Sequence, residues 1–304
     1  MNVKRTITSA VMLLAAVTMM TAQEGGKAAL PFTRIDRNPR TGGMAGAGMA
    51  SVSQPGAYSA FRGAAALPFL KGTADGALSL QLWEPTNEVD KTTNIQGGAA
   101  LHFGSFGVAL GGAFQGGVPV GGYTPSDRLV GLGLSYAMGS RISVGLNARY
   151  AAQSFAQNAS VNGFSADLTV LGRITESLSA TLGVCTLGSS VIASDGTPFG
   201  QPSYVLLGID WISTFSQVNT VELALDAEYN FDGTFGAALG AEYAYKRMVF
   251  IRAGYRAAAQ YAVIPSHLAL GLGFQYAGFR LDASFLTASP LLGNTLHVGI
   301  GYTF

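Results

Sequence analysis

The chain has 304 residues and a net charge of +1, with 18 lysines and arginines against 17 aspartates and glutamates. It therefore lacks both the basic surplus of a nucleic-acid binder and an acidic tail. It is 48% hydrophobic but only 12% charged, well below the roughly 25% charged residues of a soluble domain. With one cysteine, Cys185, it can form no internal disulfide and offers no cysteine cluster to a metal.

Taken in order, the chain opens on a signal-peptide pattern over residues 1–22. Lys4 and Arg5 form a basic start, Ile7 to Met20 an apolar core, and Met20-Thr21-Ala22 a small-residue cleavage site. Residues 23–75 follow, rich in glycine, alanine, proline and serine, with Gly42-Gly43-Met44-Ala45-Gly46-Ala47-Gly48 at their centre. No Lys-Ser or Lys-Thr directly follows these glycines at phosphate-loop spacing, which excludes a phosphate loop. Such glycine density lets backbone pack closely, and the segment is expected to plug, or to close the periplasmic end of, a larger structure.

Residues 76–304 contain no run of the ~18 apolar residues a spanning helix needs. They alternate with period two instead, the pattern of a transmembrane antiparallel β-barrel. Fourteen strands are predicted, at 77–83, 94–103, 106–115, 128–138, 142–152, 163–173, 178–188, 204–213, 219–229, 234–245, 248–256, 266–276, 279–286 and 296–304. Most reach the ~9–11 residues of a tilted membrane strand. One face reads Ile142, Val144, Leu146, Ala148, Tyr150 in the fifth strand and Leu268, Leu270, Leu272, Phe274, Tyr276 in the twelfth. Aromatic residues such as Trp83, Tyr136, Trp211 and Tyr276 stand near strand ends, where interfacial girdles belong. Tight connections (104–105, 139–141, 246–247, 277–278) alternate with longer ones (84–93, 116–127, 153–162, 189–203, 257–265, 287–295), the exception being 230–233. Short turns on one side and long loops on the other is the outer-membrane arrangement, with both termini periplasmic. The last strand sets Leu296, Val298, Ile300, Tyr302 and Phe304 on one face. A soluble edge strand this apolar would aggregate, whereas a closed barrel has no edge. Tyr302 and Phe304 are read as the signal recognised by the barrel-assembly machinery, and outer-membrane lipids as the medium of the apolar face.

The opposite faces carry the strand charges. Glu222, Asp226, Glu228 and Glu242 face inward beside Arg252, Arg256, Arg280 and Asp282, so opposite charges on neighbouring strands are expected to pair within the lumen. A charge-selective filter would need rings of one sign, and the signs here are mixed. His267 and His297 fall inward on strands either side of Asp282, with Ser266 and Ser284 nearby. No nucleophile motif surrounds either serine, and no metal-ligand spacing occurs. No catalytic residue, metal site or cofactor is assigned, and the protein is expected not to be an enzyme.

The stretch Pro31-Phe32-Thr33-Arg34-Ile35-Asp36-Arg37-Asn38-Pro39-Arg40-Thr41-Gly42-Gly43-Met44-Ala45-Gly46 resembles the start of the PorV/PorQ family of type IX secretion outer-membrane proteins. The match lies in Arg40, Gly42, Gly43, Met44 and Gly46. The family's following Asn-Pro-Ala is replaced by Arg62-Gly63-Ala64. The resemblance implies a fatty-acid-transporter-like barrel of fourteen strands that works with a secretion translocon and the sorting domains of secreted cargo. The alternative is a channel passing hydrophobic small molecules, as in the fatty-acid transporters themselves; a third reading is a structural barrel of unknown partner.

Overall fold

The computed structural model describes residues 28–84, 92–119, 122–156, 159–192, 196–289 and 294–304; the signal-peptide segment 1–22 lies outside them. Sixteen strands follow one another: β1 (Ala74–Glu84), β2 (Thr92–Phe103), β3 (Phe106–Gly117), β4 (Ser126–Met138), β5 (Ile142–Ala156), β6 (Ala159–Arg173), β7 (Leu178–Gly188), β8 (Val191–Ile192), β9 (Pro198–Phe199), β10 (Tyr204–Thr214), β11 (Asn219–Asn230), β12 (Phe235–Tyr245), β13 (Val249–Ala258), β14 (His267–Tyr276), β15 (Phe279–Thr287) and β16 (Asn294–Thr303). Fourteen of them form a closed antiparallel barrel, in which β7 pairs with β10 and β16 closes onto β1. β8 and β9 make a separate small hairpin within the 189–203 connection.

Alternation drives this closure. Along β4, Asp127, Leu129, Gly131, Gly133, Ser135 and Ala137 are buried inward, while Val130, Leu132, Leu134, Tyr136 and Met138 are exposed outward. The large apolar side chains thus stand on the outside and the small and polar ones within, the inverse of a soluble protein and the pattern of a lipid-facing wall. Tight turns gather at one end. Lys246 and Arg247 both adopt φ 53°, and Ala277 and Gly278 adopt φ 48° and 86°, as two-residue turns matched to strand twist require. At the closure seam the Phe304 N–H donates to the Ala74 carbonyl (2.9 Å) and the Thr73 N–H to the Phe304 carbonyl (3.0 Å).

Two expected connections differ. The loop expected at 153–162 is mostly strand, because β5 runs to Ala156 and β6 starts at Ala159. Gln153, Ser154 and Ser160 are polar and continue the ladder where the apolar alternation used to find strand ends has already stopped. The 230–233 connection is genuinely short: β11 and β12 are directly paired, and the Asp232 side chain accepts from the Thr234 N–H (2.9 Å) and hydroxyl (2.6 Å).

Residues 28–73 precede β1 and fill the lumen. They form single turns at Pro31–Arg34, Pro39–Gly42, Ala57–Ala60 and Ala64–Phe69. Asn38 caps the second of these, accepting from the Arg40 N–H at 3.0 Å. Met44, Ala47, Ala57, Ala60 and Leu67 are completely buried. This plug meets the wall in two chemically distinct ways, and these define the candidate site.

Candidate functional site: the plug and the wall that holds it

On the side of β2–β6 the wall is small and apolar. Ala60, Ala64 and Leu67 of the plug pack on Ala100 and Ala109. Leu30, Phe32, Tyr58 and Phe61 pack around Leu129, Ala151 and Val191. Inward glycines give the plug backbone room: a Cβ at Gly131 would stand 2.5 Å from the Ala60 carbonyl oxygen, and one at Gly133 2.7 Å from that of Ser59. The buried Asn147 of β5 donates to the Ser59 (2.7 Å) and Ala60 (3.1 Å) carbonyls and accepts from the Ala64 N–H (3.1 Å). Arg149, paired with Asp167, donates to the Phe61 carbonyl at 2.8 Å. These backbone groups would otherwise be buried without partners.

On the side of β11–β1 the wall is charged, and the ions form a continuous belt. Ser51 and Ser53 of the plug donate to Glu222 at 2.6 and 2.5 Å. Arg40 bridges Glu222 (2.6 Å) and Glu242 (3.0 Å). Arg252 bridges Glu242 (2.5 Å) and Asp282 (2.6 Å). Arg280 lies 3.6 Å from Asp282 and 3.1 Å from Asp75, which also accepts from the Thr303 hydroxyl and the Ala57 N–H. Both ends of the belt therefore return to the plug. Burial works against the Arg40 charge, but Glu222 and Glu242 outweigh it and hold its pKa well above the ordinary arginine value. Two shorter groups stand apart. Glu228 accepts from Arg256 and from Arg34 of the plug (2.7 Å). Asp226 accepts the Gly48 and Met49 N–H groups, both at 3.1 Å, with Arg62 3.5 Å away.

All eight inward charges singled out in the sequence thus lie in these networks. Their expected pairing purely across neighbouring strands needs correction: Arg34, Arg40 and Arg62 of the plug take up much of the carboxylate charge. The sequence held a signal of this, since the assigned lumen residues comprise five carboxylates against three arginines. Asp75, Asn147, Arg149 and Asp167 were missed as well. They are isolated polar residues in otherwise bland strands, and nothing in their spacing announces a plug contact.

In the glycine motif, a Cβ at Gly42 would stand 2.9 Å from Ser284 Oγ and one at Gly43 2.9 Å from the Gly271 Cα. Met44 is fully buried against Ala224 and Ala238, and Gly46 takes φ 84°. Tyr302 and Phe304 face outward; Tyr302 meets Phe279 on one side and Phe304 on the other edge-to-face, each at a ring separation of 4.6 Å. The histidines serve other partners: His297 contacts Ser79 (3.1 Å) and Gln96 (3.0 Å), and His267 the Pro265 carbonyl (2.9 Å). Asp282 is committed to Arg252 and Arg280, not placed between the two rings.

Three cavities lie in series through the plug. One of about 60 Å³ opens toward the long-loop end, between Ile35, Ala45, Ile264 and Leu286. It shares Arg34, Ile35, Asp36 and Arg62 with a central cavity of about 100 Å³. The central one shares Gln54, Pro55 and Arg280 with a third of about 310 Å³, bounded by Lys71, Arg247 and Gln275 at the tight-turn end.

No protein-family model and no curated protein matches the sequence. Solved structures of similar fold include the CymD monoaromatic hydrocarbon channel, with 14% identity over 88% of this chain and 97% of that one at a TM-score of 0.67. Another is the Ralstonia pickettii toluene transporter TbuX, with 12% identity, 91% and 98% coverage and a TM-score of 0.62. A Pseudomonas aeruginosa FadL homologue gives 12% identity, 88% and 98% coverage and a TM-score of 0.56. The chain has the fold of an outer-membrane barrel of this kind. These neighbours overturn the resemblance to the PorV/PorQ secretion proteins. The motif that suggested it is a packing motif: Arg40 clamps two wall carboxylates, and Gly43 and Met44 fit against inward glycines. Such residues report a plug seated in a barrel, not a secretion partner.

Proposed function

We propose that this protein is a non-enzymatic outer-membrane channel for small hydrophobic molecules, with both termini in the periplasm and the plug controlling passage. The observation that carries the reading is the series of three cavities joined at shared residues from the loop end of the barrel to the turn end. The hydrocarbon channels and toluene transporter of similar fold support it, since they share the barrel over nearly their whole length. Narrow spaces of this size suit compact molecules, and the two necks between them are lined by Arg34, Ile35, Asp36 and Arg62 and by Gln54, Pro55 and Arg280. Expression in a porin-deficient Gram-negative host tests the reading. Toluene uptake should rise over the empty-vector strain while glucose uptake stays unchanged. A correctly inserted barrel that leaves toluene uptake at background would refute it.

Orientation has its own test. In a Cys185→Ser background, Gln260→Cys in the β13–β14 loop should react with an impermeant thiol reagent on intact cells. Lys246→Cys in the opposite turn should react only after the outer membrane is permeabilised. The reverse pattern would place the termini outside.

A further inference from the structure

Among the described residues, Arg37 is the exception among the arginines enclosed between plug and wall. The others described above each have a carboxylate partner, whereas Arg37 has none within ion-pair distance. Its guanidinium is held by two backbone carbonyls of its own segment, Ile35 at 2.7 Å and Phe32 at 3.0 Å. A guanidinium has five N–H donors, so two are used and three are left. One of those, Nε, is buried without an acceptor. Arg37 is 5% exposed and borders the central cavity of about 100 Å³. Arg149 borders the same cavity, and its Nε is likewise buried and unpartnered. The carbonyl grip fixes the Arg37 side chain in place; Asp36 and Asp127 attract its charge from beyond ion-pair distance, and an enclosed cation with no carboxylate in direct contact remains costly.

We propose that the central cavity of the plug is a binding site for one small monovalent anionic group, a halide or a carboxylate, held by Arg37 with Arg149 beside it. The chemistry is that of a charge-assisted hydrogen bond to a planar fork whose free donors have no internal acceptor. The cavity, of about 100 Å³, takes a small anionic group, and its neighbours on either side share its lining residues. Burial and the neighbouring Arg149 lower the Arg37 pKa to about 10 against the opposing pull of Asp36 and Asp127, the direction expected where no carboxylate touches the guanidinium. The anion has two sources, a free ion of the medium or the carboxylate of a transported molecule. Nothing in the site requires the channel reading to hold.

The test uses the full chain in uncharged detergent, with sodium gluconate exchanged for bromide, formate or benzoate at constant ionic strength. Thermal unfolding and hydrogen exchange of residues 32–40 are followed. Bromide and formate should raise the unfolding midpoint and slow exchange in this segment, and both effects should saturate. Arg37→Gln should abolish the saturable response, and Arg37→Lys should keep a weakened one. Arg128→Gln, which removes an exposed outward cation of β4, should leave it intact. Benzoate saturating at lower concentration than formate identifies the carboxylate of a transported molecule. Equal or weaker benzoate binding identifies a free ion. A response that does not saturate, or that is the same in the native protein, Arg37→Gln and Arg128→Gln, would overturn the site. That result would leave the toluene-uptake measurement untouched.

Discussion

Arg40 holds the plug by two carboxylates at once, Glu222 on β11 and Glu242 on β12. Replacing it with methionine removes one cation and leaves two enclosed anions facing each other. Breaking a buried pair in this way costs about 3–5 kcal/mol. The fourteen-strand ladder does not depend on Arg40, so the loss should appear in the plug. Limited proteolysis should cut between residues 40 and 56 in Arg40→Met and not in the native protein. Arg62 works differently: its side chain is partly exposed, its ion pair is 3.5 Å long, and it lines the neck between two cavities. Arg62→Ala should widen that neck and raise toluene uptake several-fold without lowering the unfolding temperature. Unchanged uptake would remove Arg62 from the route. The inward position of the wall charges could be read from period two alone, because a strand has only two faces. The plug partners could not, because residues 28–73 have no regular period from which a facing direction follows.

At the level of elements, glycines on the strands act as the mould for the plug. A Cβ at Gly254 of β13 would stand 2.5 Å from the Met44 carbonyl oxygen, whereas one at Gly172 of β6 would meet nothing within 4 Å. Gly254→Val should therefore overpack the seat by about 1–3 kcal/mol and speed hydrogen exchange around Met44. Gly172→Ala should change neither exchange nor stability. Equal effects at the two sites would show that the plug does not rest on inward glycines. The strands themselves were legible wherever lipid demands an apolar outer face. They were illegible at the β5–β6 tip, where Gln153 to Ser160 form a ladder with little apolar alternation to mark it. The small β8–β9 hairpin, two residues a side, is too short for any periodicity to mark.

For the molecule as a whole, stability rests on an outer surface that would be untenable in water. Leu270 and Leu272 of β14, both about 60% exposed, face lipid near the middle of their strand. Leu272→Arg should lower the free energy of folding into vesicles by about 2–4 kcal/mol, the cost of a cation at the bilayer midplane. Urea titration in vesicles measures this, and a change within error would argue that β14 is not lipid-facing. Fold class was plain from the sequence because that outer surface leaves a mark on every strand. Functional class was not, because the glycine motif at residues 42–46 encodes a fit to the wall that barrels of different purpose can share.

The two sides of the plug are also separated along the chain. Asn147 holds the Ser59 and Ala60 carbonyls across 88 and 87 residues, whereas Arg40 reaches Glu242 across 202. Closing the longer loop carries the larger entropic penalty. The seat on β2–β6 therefore closes the shorter loops and the charged seat on β11–β1 the longer ones. The plug thus ties early and late strands of the wall to one short segment, since Asn147 of β5 and Glu242 of β12 both hold it.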